Sequence, residues 1–122
     1  MNSVDELKAR LQEASLAVER GISTTDFERA FLDVLRFVKA HPDCREECES
    51  AFVNALAGGS QVPWELVQFC MRELRWPRVR EEALRIADET TDIRVKAIMR
   101  DIAAAYEEEW EDADLYEYYR NK

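Results

Sequence analysis

Apolar residues recur along this chain at intervals of three and four, the spacing that lines one face of an α-helix, and no stretch shows the strict alternation of a half-buried strand. Val4, Leu7, Leu11, Ala14 and Val18 mark a first helix, opened by Ser3 and Glu6 as a capping box and stopped by Gly21. Thr25 with Glu28 forms a second capping box, ahead of the face Phe27, Phe31, Val34, Leu35 and Val38. Pro42 starts a third helix at its first turn, where a missing N–H costs nothing; Cys44, Cys48, Ala51, Phe52 and Ala55 form its face and Gly58-Gly59 ends it. Pro63 opens a fourth helix (Leu66, Val67, Cys70, Met71, Leu74) and Pro77 a fifth (Val79, Ala83, Ile86). Thr91 or Asp92 caps a last, long helix through Val95, Ile98, Ile102, Ala105 and Tyr106. The pattern predicts one all-α domain over residues 1–122, a six-helix bundle with short connections and no linker.

Two segments repeat. His41-Pro42-Asp43-Cys44-Arg45-Glu46-Glu47-Cys48 aligns with Trp76-Pro77-Arg78-Val79-Arg80-Glu81-Glu82-Ala83 at an offset of 35 residues, and the same register pairs Phe31 with Leu66, Leu32 with Val67 and Leu35 with Cys70. The offset falls in the period range of helical-hairpin repeats. It predicts that helices two and three, and four and five, form two similar hairpins. Pro77-Arg78-Val79-Arg80-Glu81-Glu82-Ala83-Leu84 resembles the second helix of HEAT-type repeats, a likeness that covers about half the chain. That resemblance implies two HEAT-like hairpins flanked by capping helices one and six, which shield the apolar ends of the stack.

Composition narrows the function classes. Of 122 residues 47% are hydrophobic, enough for a packed core, while Gly and Pro number only three each. The formal net charge of −9 repels a nucleic-acid backbone or an anionic membrane surface, and basic protein surfaces are the electrostatic match. No apolar run approaches the roughly 20 residues of a membrane span, and the opening Met-Asn-Ser-Val-Asp-Glu-Leu-Lys lacks an export signal's apolar core. With an odd count of three cysteines, reduced thiols and a cytoplasmic setting are expected.

Few residue sets offer chemistry. His41, Cys44 and Cys48 are spaced to share one side of a helix, and Cys70 would make a fourth zinc ligand, but the spacing matches no established zinc pattern. The repeat aligns Cys44 with Val79 and Cys48 with Ala83, so core positions are expected and no metal or cofactor. The single histidine has no evident nucleophile or acid partner, no glycine-rich loop follows a strand, and a Glu-x-x-His di-iron motif is absent. The chain is expected not to be an enzyme. Arg72, Arg75, Arg78, Arg80, Arg85, Arg94 and Lys96 are interleaved with Glu73, Glu81, Glu82, Asp88, Glu89 and Asp92, which reads as intrahelical ion pairing rather than phosphate binding.

The most informative segment is Tyr106–Tyr119, and no basic residue occurs from Asp101 to Tyr119. Were the last helix to continue through it, Glu107 would repel Glu111 and Glu108 would repel Asp112, by about 0.2–0.5 kcal/mol per pair. Acids at a helix C-terminus also oppose its dipole. Local helix stability therefore does not account for the cluster. Two compatible accounts remain: the aromatics pack on the bundle beneath solvated acids, or aromatics and acids together dock on a basic partner.

Small size, strong acidity and the lack of catalytic motifs give the chain a general resemblance to small acidic bacterial immunity proteins, although no motif assigns a named family. The resemblance implies an immunity or antitoxin-type inhibitor that blocks a basic site on a toxin. Glu107, Glu108, Glu109, Glu111, Asp112 and Asp114 would make the charged contacts, with Trp110, Tyr116, Tyr118 and Tyr119 as aromatic anchors. The alternative is a helical adaptor or secretion chaperone that holds a peptide or helix in an apolar groove. The partner's identity and the oligomeric state are not encoded in any motif.

Overall fold

A computed structural model describes residues 2–21, 24–59 and 61–120, and side chains throughout these except at positions 24–26. The described residues form helices and no strand: α1 (Ser3–Glu19), α2 (Thr24–Ala40), α3 (Arg45–Leu56), α4 (Trp64–Leu74), α5 (Pro77–Glu89), α6 (Ile93–Ala104) and the short α7 (Glu117–Arg120). A 3-10 turn, Pro42–Cys44, leads into α3, and another, Glu111–Leu115, precedes α7. The fold is all-α, and α1 to α6 match the six expected helices.

The most extensive helix contacts are α1 with α2 and α5 with α6. Next come α3 on α5 and α4 on α6, with lighter contacts of α2 on α4 and α3 on α4. Two rows result, α1–α3–α5 and α2–α4–α6, with α1 joined to its row through the Pro42–Cys44 turn. The intimate pairs are therefore displaced by one helix from the expected α2–α3 and α4–α5 hairpins. Each proline turn carries the chain from the second row back to the first.

Helix ends follow capping chemistry. The start of α1 is capped by Asn2, not by the expected Ser3: the Asn2 Oδ1 accepts from the Asp5 N–H at 2.8 Å, and Ser3 is the first helical residue. Asp92 caps α6, accepting from the N–H groups of Arg94 and Val95. The Thr25 side chain of the second expected capping box lies outside the described residues. Its Glu28 partner points elsewhere, as shown below. Gly21 follows α1 because a Cβ there would stand 2.7 Å from the Val18 carbonyl oxygen, and Gly58 ends α3 at φ +83°.

The core is continuous between the rows and centres on α4, whose residues Leu66–Met71 are all buried. Phe31, Leu35, Phe52, Phe69 and Ile102 have no exposure. Cys44, Cys48 and Cys70 are equally enclosed, as the repeat implied. Phe37, Leu56, Phe69 and Met99 join the core beyond the residues that periodicity selected.

The last helix is shorter than expected. It ends at Ala104, and Ala105, expected within it, already lies in the turn that follows. From there the chain runs back across α4 to α2.

Candidate partner-binding surface

The acidic segment is positioned by α4. Gln68, Arg72 and Arg75 stand at i, i+4 and i+7, one polar stripe on that helix. Each reaches the end of α6. The Gln68 amide donates to the Asp101 carbonyl at 2.8 Å. Arg72 Nη1 donates to the carbonyls of Ala105, at 3.0 Å, and of Glu107, and Nη2 donates to that of Glu108 at 3.1 Å. Arg75 Nη1 donates to the Tyr106 carbonyl at 3.0 Å. The last turn of a helix leaves carbonyls unpaired and carries partial negative charge. Two guanidinium groups answer both, and in doing so they turn the chain off the helix axis. The repulsive i,i+4 acid pairs of a longer helix therefore never form.

Beyond this turn the aromatics face inward. Trp110, Tyr116 and Tyr119 are 6%, 4% and 7% exposed. Tyr116 meets Phe69 edge-on at 4.9 Å and Phe31 at 6.4 Å, and Tyr119 lies 5.0 Å from Phe69. Trp110 contacts both tyrosine rings and receives Arg72 over its face. Such ring pairs contribute about 0.5–1.5 kcal/mol each beyond the area they bury. The hydroxyls are anchored as well: Tyr119 donates to the Phe69 carbonyl, Tyr118 to Glu73 at 2.6 Å, and Tyr106 to the Trp76 carbonyl at 2.8 Å. Burial pushes the phenols of Tyr106, Tyr116 and Tyr119 well up from the ordinary value.

The far end is fixed by Glu28. This buried α2 carboxylate accepts from the N–H groups of Glu117 at 3.1 Å and Tyr118 at 2.8 Å, capping α7 from a residue 90 positions away from Tyr118. A carboxylate at these N–H groups is the favourable sign for a helix start.

The predicted site therefore divides. Trp110, Tyr116 and Tyr119 are corrected from contact anchors to core residues, because their rings fill the space over Phe31 and Phe69. Tyr118 is half-buried and bonded to Glu73. The acids stay outside: Glu107, Glu108, Glu109, Glu111 and Asp114 are exposed and Asp112 is half-buried. Among the described residues none of these six carboxylates makes an ion pair. Leu115, beside them, is 57% exposed and is the only large apolar side chain that the segment turns outward.

Asp101, Ala104, Glu109, Trp110, Glu111 and Asp112 surround an open cleft of about 430 Å³. Partial burial and the neighbouring charge of Asp112 raise the Asp101 pKa above the ordinary carboxylate value. The cleft is thus an electronegative recess with a fixed indole in its lining, suited to a cationic side chain.

The other residue sets settle into structural places. Burial pushes the Cys48 thiol up to about 12 and raises that of Cys70 well above the ordinary value, which disfavours the thiolate that metal binding or nucleophilic attack requires. His41 stacks on Phe37 at 4.1 Å, and its Nδ1 lies 2.9 Å from the Phe37 carbonyl oxygen. Among the described residues no group of three His, Cys, Asp or Glu side chains is arranged to hold a metal, and no helix is long and apolar enough to cross a membrane. The expected intrahelical pairing is present for Arg85, with Glu82 and Glu89, whereas Arg78 pairs with Glu49 of α3.

Comparison with family models, curated proteins and solved structures finds no match for this chain.

Proposed function

We propose that the chain is a non-catalytic binding protein that occludes a basic site on another protein, in the manner of an immunity or antitoxin-type inhibitor. One observation carries this reading: six carboxylates within residues 107–114, which make no ion pair among the described residues, are displayed by a segment whose backbone and aromatic side chains are fixed to the domain. A rigid anionic surface loses little entropy on docking, and its charge steers a basic partner into encounter. Contact falls to the carboxylates, the Asp101–Asp112 cleft and Leu115, while Trp110, Tyr116 and Tyr119 act from beneath by holding them in place.

The test is affinity capture from the native cell with wild type and with a Glu107→Lys, Glu108→Lys, Glu111→Lys variant of unchanged circular dichroism. A basic partner, toxic when expressed alone, should be lost with the reversal. Retention of the same partners by the variant would overturn the reading and favour an adaptor that uses an apolar groove.

A further inference from the structure

Two surfaces of the helical array differ in charge. On one surface, α1 and α2 enclose an open groove of about 520 Å³ with Leu16, Ala17 and Ala30 as its apolar floor. Arg20, Arg29 and Arg36 rim it, and among the described residues none of the three makes an ion pair or hydrogen bond to a side chain. Of the two acids in the rim, Asp33 lies 3.3 Å from Arg10, which leaves Glu13 as the one without an ion pair among the described residues. In a chain of net charge −9 this groove is a local reversal of sign. Arg29 and Arg36 also line a second recess, which they share with Glu28 and Glu117. The two arginines are two helical turns apart, about 10.5 Å along the axis.

On another surface, the segment after α6, which crosses α4 toward α2, carries the acidic cleft and the exposed Leu115. No residue of the Glu109–Leu115 edge lines the α1–α2 groove, so the two surfaces are separate.

We propose that these two surfaces are complementary and that copies of the chain associate head to tail, the Glu109–Leu115 edge of one copy seated in the α1–α2 groove of the next. Leu115 covers the floor made by Leu16, Ala17 and Ala30, and Glu109, Glu111 and Asp114 meet Arg20, Arg29 and Arg36. The contact joins two different surfaces, so each added copy leaves one surface of each kind open. Like net charges oppose the approach, which makes the association weak and dependent on concentration. The proposal shares the acidic edge with the proposed function but does not rest on it, and a partner that takes the edge would dissolve the stack.

Sedimentation velocity over a concentration series tests it with the whole protein. The average mass should rise past that of a dimer. A Glu109→Lys, Glu111→Lys, Asp114→Lys variant should need at least about tenfold more protein to associate. Because those reversals move the net charge from −9 toward −3, general repulsion falls and cannot explain the loss. An Arg29→Glu, Arg36→Glu variant should be lost similarly, Leu115→Ser should weaken association without changing charge, and mixing the two charge-reversed proteins should restore growth. A monomer at every concentration, growth that stops at a dimer, or a mixture of folded variants that stays monomeric would each overturn the proposal. So would a groove reversal that abolishes capture of an unrelated partner while self-association persists. The Arg29→Glu, Arg36→Glu variant keeps the acidic edge, so failure here leaves the partner-capture experiment to judge the proposed function separately.

Discussion

The guanidinium of Arg72 lies 5.9 Å from the ring centroid of Trp110 while its nitrogens hold the carbonyls of Ala105, Glu107 and Glu108. One side chain on α4 thus ends α6 and seats the first aromatic of the segment that follows. An acidic stretch that is unfavourable as helix becomes well ordered as a strap, because its backbone carbonyls, rather than its carboxylates, receive the positive charge.

Arg72→Ala should destabilise the domain by about 2–4 kcal/mol, since three carbonyls lose a charged donor and Trp110 loses its cover. Arg72→Lys should recover less than half, because an ammonium cannot reproduce the fork. Urea titration followed by far-UV circular dichroism gives both values. Equal stability of Arg72→Lys and wild type would show that charge alone suffices.

Removal of the cap at the far end should act locally. Glu28→Ala is expected to cost about 1–2 kcal/mol and to speed amide exchange at Glu117 and Tyr118 before any other helix. Exchange that rises uniformly across the domain would contradict a local role.

Alkaline pH should unfold the protein early. Phenols and thiols held above their ordinary pKa keep protons that the unfolded chain releases, so the folded state binds more protons and stability falls as pH rises. The contribution is fully present below the ordinary values and is lost from about pH 9 upward, by up to about 1.4 kcal/mol per group per pH unit. Urea midpoints measured from neutrality to about pH 11 should decline ever more steeply across that range. A constant midpoint would rule out coupling between these groups and the fold.

The charge-reversed variant Glu107→Lys, Glu108→Lys, Glu111→Lys should be at least as stable as wild type. Its target side chains are exposed and make no ion pair among the described residues, and reversal adds the sign that a helix C-terminus prefers. Thermal unfolding checks this. A lower midpoint would mean that these acids support the fold.

Much of this arrangement was legible in the sequence. The period of three and four located every helix from Val4 to Ile102, because each buries one stripe, and Pro42, Pro63 and Pro77 marked three of the starts. Asn2 was overlooked as a cap because Ser3 with Glu6 satisfies the same rule one residue later. The two segments at the 35-residue offset lie at turns between the rows, and the most extensive helix contacts fall between α1 and α2 and between α5 and α6. At the acidic segment, composition distinguished carboxylates from aromatics but not which way each faced. That depended on Gln68, Arg72 and Arg75, whose targets are carbonyl groups and leave no trace in residue identity. Their spacing on one face of α4 was the available signal, but Arg72 and Arg75 read equally well as partners for nearby acids.

The link from Glu28 to Tyr118 also sets an order of events during synthesis. A nascent chain that has reached Ala104 already contains all six long helices, yet Phe31 and Phe69 still lack the rings that cover them. Until the strap emerges, the growing protein presents a greasy window of the kind that chaperones recognise. Release from that surveillance comes only with the final fifteen or so residues described, so the displayed acids and the sealing of the domain arrive together.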